Sequence, residues 1–499
     1  MTRYETLLQN CEADIRAGRP IDVSRRLARL NSKRVAREWR LPLARICRRA
    51  GLYTLGLKLL GPVVGLSDLR RSEQAGHKAT PGESAEYAML LLRSGAVDES
   101  LQILSRVDYA EAPEALLYRA FGCFLNWDYG LAVPALREYL QMPLTPSSIL
   151  NGRVNLAYAL VECGEFQEAA SLVDETRQFA GREGHKQAES NCHTILGQIF
   201  LLADDFKRTH AEVEAARRLV SVAGSHDQFN LTKLSLLLKA RETRAQEPLQ
   251  QLRELARGRH DWESLRETDL YSLKLEFQEA LFQHLMFGTP FIRFRERVEK
   301  ELGRLPVSEH YVFGKPGSRC LDLRAAKVEG NVVALWSGGK NHQLIEVLLR
   351  DFYRPLRVGG LFSALYPGEH FDVNSSPSRV HQVIRLARRW LATEQIPAAI
   401  VESKAFYSLK LNGNFSFILP LERKIVARAD ANFARLREVF RGETVFSAKE
   451  ASRRLAVSTP TMRRLLNWAI ENGLIRRVGG ERRLARYEFV ISRRTSVSA

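Results

Sequence analysis

From about residue 35 to 290, apolar residues recur three and four positions apart, the spacing that lays a stripe along one face of a helix. Five segments share a finer pattern: a small residue on an apolar helix, a turn, then a second helix with a small residue twelve positions on. They are Leu43-Ala44 with Gly51, Tyr53 and Gly56; Tyr87-Ala88 with Gly95 and Ser100; Arg119-Ala120 with Tyr129 and Ala132; Leu156-Ala157 with Gly164, Phe166 and Ala169; and Leu196-Gly197 with Phe206 and Thr209. Further helices are expected near 230–242, 247–257 and 268–286, continuing or capping the stack. Among the small-residue segments, Asn155-Leu-Ala-Tyr-Ala-Leu-Val-Glu-Cys-Gly-Glu-Phe-Gln-Glu-Ala-Ala170 is the best formed.

That pattern resembles the tetratricopeptide repeat. Successive anchors are 44, 32, 37 and 40 residues apart rather than a steady 34, so the copies are degenerate. The resemblance implies an α-solenoid over residues 1–304 that stacks helix pairs and offers a surface to a protein partner.

Past 304 the character changes. Leu305-Pro-Val-Ser-Glu-His-Tyr-Val-Phe-Gly-Lys-Pro-Gly317 carries breakers and reads as a domain boundary. Residues 320–335 read as two short strands around Glu329-Gly-Asn331. Lys340 to Tyr353 reads as an amphipathic helix with Leu344, Val347, Leu348 and Phe352 on one side. A second helix, Val358 to Tyr366, is stopped by Pro367-Gly368, and a third, capped by Ser376 or Ser378, runs through Leu391. Alternating runs flank Asn412-Gly413 and predict a hairpin of Phe406–Leu411 with Asn414–Ile418. Order and lengths over 318–420 resemble the winged helix of OmpR/PhoB response regulators, carried by Gly360-Leu-Phe-Ser-Ala-Leu-Tyr-Pro-Gly368, by Val380–Leu391 and by Ile400–Leu409. The family places glycine before the strand aromatic, where this chain has Ala405. On the third helix Val380, Val383, Ile384, Ala387 and Leu391 share an inward face, and Arg379, Gln382, Arg385 and Arg389 the opposite one. Arg suits guanine and Gln suits adenine in a major groove; an ordinary solvated basic face is the alternative.

Residues 425–492 repeat the theme. Asn432–Phe440 reads as a short helix, Ser447 and Glu450 as a capping box, Thr459-Pro460 as the start of a third helix that Gly473 ends. Two strands, 474–478 and 484–489, form a wing around Gly479-Gly480. The run from Phe446-Ser-Ala-Lys-Glu-Ala-Ser-Arg-Arg-Leu455 on to Val478 looks like a bacterial winged helix-turn-helix. Met462, Leu465, Leu466, Ala469 and Ile470 are expected inside. Thr461, Arg463, Arg464, Asn467 and Trp468 are expected outside, and Arg476, Arg477, Arg482, Arg483 and Arg486 crowd the wing, suited to phosphate or minor-groove contact. Winged helices also dock on proteins, and that alternative stays open.

Charge sharpens this reading. Net charge is +18, but residues 321–499 hold 30 Lys and Arg against 16 Asp and Glu, residues 1–50 hold 13 against 5, and residues 51–320 hold 32 against 36. Basic residues are thus concentrated at the two ends, the footprint of a polyanion partner. No apolar run approaches the roughly 20 residues that cross a bilayer, and the first residues lack a signal-peptide pattern, so a cytoplasmic location without a membrane partner is expected. The six cysteines, at 11, 47, 123, 163, 192 and 320, form no CxxC pair. Those at 47, 123, 163 and 192 are expected to be core thiols. Ser337-Gly-Gly-Lys340 does not complete a phosphate loop, and His193, His210 and His342 are isolated. No enzyme, metal or cofactor is expected. The fold class expected is mainly α: a tetratricopeptide-like solenoid followed by two small α+β winged helices. The function expected is sequence-specific transcriptional regulation through double-stranded DNA, with the repeats sensing a protein partner or forming a homodimer. The alternative is a protein-interaction scaffold whose winged helices dock on protein.

Overall fold

The computed structural model describes residues 3–16, 19–64, 79–219, 226–315, 319–323, 327–328, 339–420, 433, 436–437, 439–440, 445–455, 459–479 and 485–490. The protein is mainly α. Helices α1 (Arg3–Arg16) and α2 (Pro20–Leu27) lead into paired helices: α3 (Arg37–Arg49) with α4 (Tyr53–Val64), α5 (Pro81–Arg93) with α6 (Val97–Leu104), α7 (Glu114–Leu125) with α8 (Tyr129–Tyr139), α9 (Pro146–Cys163) with α10 (Phe166–Arg182), and α11 (Lys186–Leu202) with α12 (Phe206–Leu219). Next come α13 (His226–Thr243), α14 (Glu247–Arg259), α15 (Trp262–Leu275), α16 (Glu279–Phe287) and α17 (Ile292–Leu302).

The small residues twelve apart sit where the sequence places them. Ala44, Ala88, Ala120, Ala132, Ala157 and Ala169 are buried. The Ser100 hydroxyl donates to the Ala88 carbonyl across its pair at 2.7 Å. A Cβ on Gly197 would lie 2.7 Å from the end of the Leu234 side chain of α13, so that side chain would have to shift for any other residue. Gly164 ends α9 with φ +84. In the α7–α8 copy the equivalent turn carries Trp127 at φ +59, a conformation that side chains disfavour.

Several expectations fail, each for a local reason. The helix expected over 268–286 is two helices: the chain is extended at Glu276 (φ −148, ψ 113), and Phe277 turns back to meet Phe282 at 5.6 Å. Neither Pro nor Gly marks that break. The helix from Lys340 is α18 (Lys340–Leu348), not a helix to Tyr353, because the Asp351 carboxylate accepts from the Tyr353 and Arg354 amides in a turn of its own. Cys163 is exposed, standing on the last turn of α9 beside Gly164, and Phe166 is exposed on the first turn of α10.

Beyond α17 lie β1 (His310–Gly314), β2 (Arg319–Asp322), β3 (Lys327–Val328), α19 (Val358–Leu365), α20 (Ser376–Thr393), β4 (Ala398–Ser403), β5 (Phe406–Leu411) and β6 (Phe415–Pro420). The expected Asn412-Gly413 hairpin does not form. β5 pairs instead with β4, through Lys404-Ala405 at φ +51 and +64, the mirror-image turn that suits the twist of two strands. β6 joins β1 antiparallel and β2 parallel in a sheet ordered β1-β6-β2-β3. Phe415, Phe417 and Leu419 of β6 are buried, as befits a strand flanked on both sides. β1 itself lies inside the segment that reads as a boundary. The strand pair expected around Glu329-Gly-Asn331 falls outside the described residues beyond Val328.

The last elements are β7 (Val445–Ser447), α21 (Ala448–Arg454), α22 (Thr459–Glu471), β8 (Ile475–Gly479) and β9 (Arg486–Phe489), with the sheet ordered β7-β9-β8. Phe433, Leu436, Phe440, Phe446, Met462, Leu465, Leu466, Ala469 and Ile475 close a core of their own. Half of the capping box is present: the Ser447 hydroxyl accepts from the Glu450 amide, while the Glu450 carboxylate takes Arg454. Ile470 is not inside but 40% exposed, and Trp468 is not free outside but half-buried, 6.1 Å from Phe433. The core is wide enough on the Trp468 side to draw that face of α22 inward.

By contact the chain divides into two compact units. The first is Met1–Glu309 with Leu348–Gln382 and Ile400–Ser408; the second is His310–Val347 with Val383–Ala399 and Leu409–Ala499. The segments 348–382 and 400–408 thus belong to the same unit as the helical array.

Candidate functional site

The densest polar arrangement lies inside the first unit. On α15, residues Ser264 to Leu273 are all buried, charged ones included. Arg266 is wholly buried and donates to both carboxylate oxygens of Asp351 at 2.8 and 2.7 Å, to Glu263 at 2.9 Å and to Thr289 at 3.2 Å. Its guanidinium also lies over the rings of Phe291 and Tyr353, at 4.8 and 5.0 Å. Burial alone would lower the Arg266 guanidinium, but Asp351 and Glu263 outweigh it and raise it. Burial pushes the Glu263 carboxyl up, yet Arg266 and Arg354 hold it below the usual range. The Tyr353 hydroxyl donates to Asp269 at 2.7 Å, and burial together with that carboxylate pushes it well above an ordinary phenol. Arg354 pairs with Glu263 and donates to the Leu125 carbonyl. Trp127 is held in its left-handed turn by the same carboxylate, through Nε1 at 2.5 Å, and by Phe294 at 4.5 Å.

This cluster seats the irregular stretch between α18 and α19. The Phe352 amide donates to the Gly288 carbonyl at 3.0 Å, and a Cβ at Gly288 would overlap the Phe352 ring. Further along, a Cβ on Gly359 would lie 2.6 Å from the Ser94 carbonyl, so α19 packs backbone to backbone on the turn after α5. His370 and the Phe371 amide both reach Glu99 of α6. A second buried polar row links successive helices: Gln198 to Glu162 at 3.0 Å, Arg297 to Glu162 at 2.6 Å, and Lys233 to Glu267.

The arrangement holds residues 351–354 against α15 and the end of α7. Among the described residues no group of three or more His, Cys, Asp and Glu is placed to hold a metal ion. His193 is buried against Glu212, His210 meets Glu242 in solvent, and His342 is buried between Glu346 and the Leu323 carbonyl.

The residues expected at a DNA surface separate into three groups. Gln382, Arg385 and Arg389 are exposed on α20, opposite the buried Val380, Val383, Ile384, Ala387 and Leu391. Arg463, Arg464 and Asn467 are exposed on α22. Among the described residues Arg385, Arg389, Arg463 and Arg464 have no ion pair. Arg379 and Arg476 are engaged: Arg379 pairs with Glu369 and lies 3.9 Å over the Tyr366 ring, and Arg476 pairs with Glu488 at 2.7 Å. Arg477 is exposed on β8, and Trp468 faces the core as above. The Thr461 side chain, Arg482 and Arg483 lie outside the described residues.

Sequence reasoning missed the Arg266 cluster. Ser264-Leu-Arg-Glu-Thr-Asp-Leu-Tyr-Ser-Leu273 is half polar and reads as a solvated face. Its one clue is charge of both signs set between apolar residues with no clean polar side.

No protein-family model matches the chain, and no curated protein matches it. Solved structures similar in part include MamA (18% identity, 37% of this chain and 95% of that one, TM-score 0.28). The apo form of RapI is 9% identical over 57% of this chain and 86% of that one, with a TM-score of 0.36. A monomeric IFIT1 mutant determined with m7Gppp-AAAA is 10% identical over 77% and 82%, with a TM-score of 0.29. At these TM-scores none of the three fixes the fold, which rests on the chain's own helix pairs. No helix among the described residues is long and apolar enough to cross a membrane.

Proposed function

We propose that this chain is a non-enzymatic cytoplasmic interaction scaffold, whose degenerate tetratricopeptide-type array binds an extended segment of a protein partner. The observation that carries this is the seating of residues 351–354. Consecutive side chains without regular secondary structure bind the array: Asp351, Tyr353 and Arg354 line up on Arg266, Asp269 and Glu263 of α15, and Arg354 also reaches the Leu125 carbonyl of α7, as helical repeats offer a surface to a linear segment. Affinity capture from a lysate, with sedimentation of the pure chain, tests it. Ala157→Trp and Gly197→Trp, which force α9 and α11 from their neighbours, should abolish capture or self-association. An intact array with neither partner nor self-association sinks the proposal.

A second reading is favoured by the exposed, unpaired Arg385, Arg389, Arg463 and Arg464. In it residues 318–420 and 425–492 are winged helices that bind duplex DNA and make the chain a transcriptional regulator. Support comes from the order of helices and hairpin in each, and from amphipathic third helices with arginine outside. Duplex affinity should then fall steeply with salt, about 0.9 log units per tenfold salt for each phosphate neutralised. Salt-insensitive binding excludes groove reading.

A further inference from the structure

The stretch Leu349–Arg357 presents a puzzle of energetics. An array that needed only to fix a connecting segment would do so with apolar packing, since a buried ion pair rarely improves on well-packed hydrophobic side chains. Leu349 is buried and Leu356 is bridged to Tyr407 through the backbone, but residues 351–354 between them are held mainly by polar contacts. Asp351 meets Arg266 with both oxygens, Tyr353 meets Asp269, and Arg354 meets Glu263 and the Leu125 carbonyl. Of residues 351–354 only Phe352 is apolar, and it fits only because residue 288 is glycine. Polar contacts of fixed geometry confer register and specificity, and they can be exchanged for an equivalent set.

We propose that Leu349–Arg357 is an internal ligand of the array: it occupies the site at which a partner segment of the same chemistry, an acidic residue followed by two aromatics and an arginine, binds by displacing it. This rests on the interaction-scaffold reading and deepens it. The receptor side is Glu263, Arg266 and Asp269 of α15, with Gly288, Phe291 and Trp127 around them. Tethering gives the internal segment a high effective concentration, so a free peptide competes poorly until the internal copy is weakened. The second hold, His370 and Phe371 on Glu99, keeps the downstream end attached when the first opens.

The test uses the full-length chain and a fluorescent peptide of residues 349–357. Asp351→Asn removes the charge that Arg266 holds while keeping the side chain's size. The peptide, which supplies its own Asp, should bind the Asp351→Asn chain at least tenfold more tightly than the unaltered chain. A peptide carrying Asn at that position should show no such gain, and Arg266→Met in the Asp351→Asn background should remove it. Equal binding to both chains, or binding indifferent to Arg266, overturns the proposal. If Asp351→Asn fails to fold, hydrogen exchange on the unaltered chain decides: amides of 349–357 should exchange at least tenfold faster than those of α9 to α12. Equal rates mean the segment is ordinary core and overturn it. If the peptide fails while the array still captures a protein, this inference falls alone; if capture also fails, the reading beneath it falls too.

Discussion

Two regions of this molecule carry an excess of arginine and put it to opposite uses. In residues 1–50, Arg19 and Arg26 converge on Asp14, Arg25 pairs with Asp22, and Arg49 with Glu12. Arg37, Arg45 and Arg48 reach carboxylates of later helices, Glu83, Glu114 and Glu86. Arg40 donates to the Val35 and Leu59 carbonyls. Among the described residues of this region, Arg3, Arg29, Lys33 and Arg34 stand in solvent. On α20 and α22, by contrast, Arg385, Arg389, Arg463 and Arg464 project with no carboxylate in reach among the described residues. Local net charge therefore misleads: much of the N-terminal excess of +8 is consumed as mortar between helices, whereas Arg385, Arg389, Arg463 and Arg464 remain as field. What separates them is whether the neighbouring helices bring carboxylates within about 4 Å.

The largest expected effect is on the mortar. Glu86 is buried, held by Arg48 at 2.6 Å and by the Tyr118 hydroxyl at 3.3 Å. Arg48→Ala leaves that carboxylate uncompensated and should cost about 3–5 kcal/mol of stability. Chemical denaturation reads this directly; a loss below about 1 kcal/mol would place Arg48 with ordinary surface pairs. Duplex binding by the folded fraction should not change.

Next comes the field. If the second reading holds, replacing Arg385, Arg389, Arg463 and Arg464 together by Ala lowers duplex affinity about a hundredfold, roughly 2.7 kcal/mol, and flattens the salt dependence; no duplex binding at all by the unaltered chain ends that reading. Fluorescence anisotropy would detect it, and melting should shift little because these side chains hold no ion pair among the described residues. An equal loss from Arg45→Ala with Arg49→Ala would erase the distinction between the two ends.

A smaller effect separates the regions by pH. Burial pushes the Glu83 carboxyl up, but Arg37 and the Thr80 amide outweigh it and hold it below its usual value; Arg26 and Arg19 hold Asp14 low. A carboxylate depressed in the folded state stabilises above its unfolded pKa and loses that contribution as pH falls through the folded one. Stability of the α1–α5 end should therefore decline as pH drops below about 4.5. Neutralising Glu83 as Gln should remove part of that slope in pH-dependent denaturation, and an unchanged slope would remove Glu83 from the account. The smallest effect is on Arg379, already tied to Glu369 and stacked on Tyr366: Arg379→Ala should change duplex affinity by less than about threefold. A loss near the upper end of a base contact, about 3 kcal/mol, would show that Arg379 leaves Glu369 to read a base.

How much was legible in the sequence depends on the range of each interaction. The five helix pairs are local devices: a small residue, a turn and a second small residue twelve positions on suffice to fix them, and the structure places Ala88 against Ser100 and Gly197 beneath Leu234 accordingly. The inward faces of α20 and most of α22 are likewise matters of helical period, as is the end of α22 at Gly473, φ +66. Tertiary structure alone decided the rest. Alternation marks β5 and β6 as strands but carries no information about partners, so Asn412-Gly413 suggests a hairpin whose two arms in fact join different sheets. Burial of a polar residue cannot be read from its type. Arg266, Glu267 and Asp269 look solvated until Asp351, Lys233 and Arg253, distant along the chain, arrive to compensate them. Composition along the chain specifies how many arginines each end carries; only the packing of helices decides which of them find a carboxylate, because an ion pair depends on a few ångströms that no spacing in the sequence records.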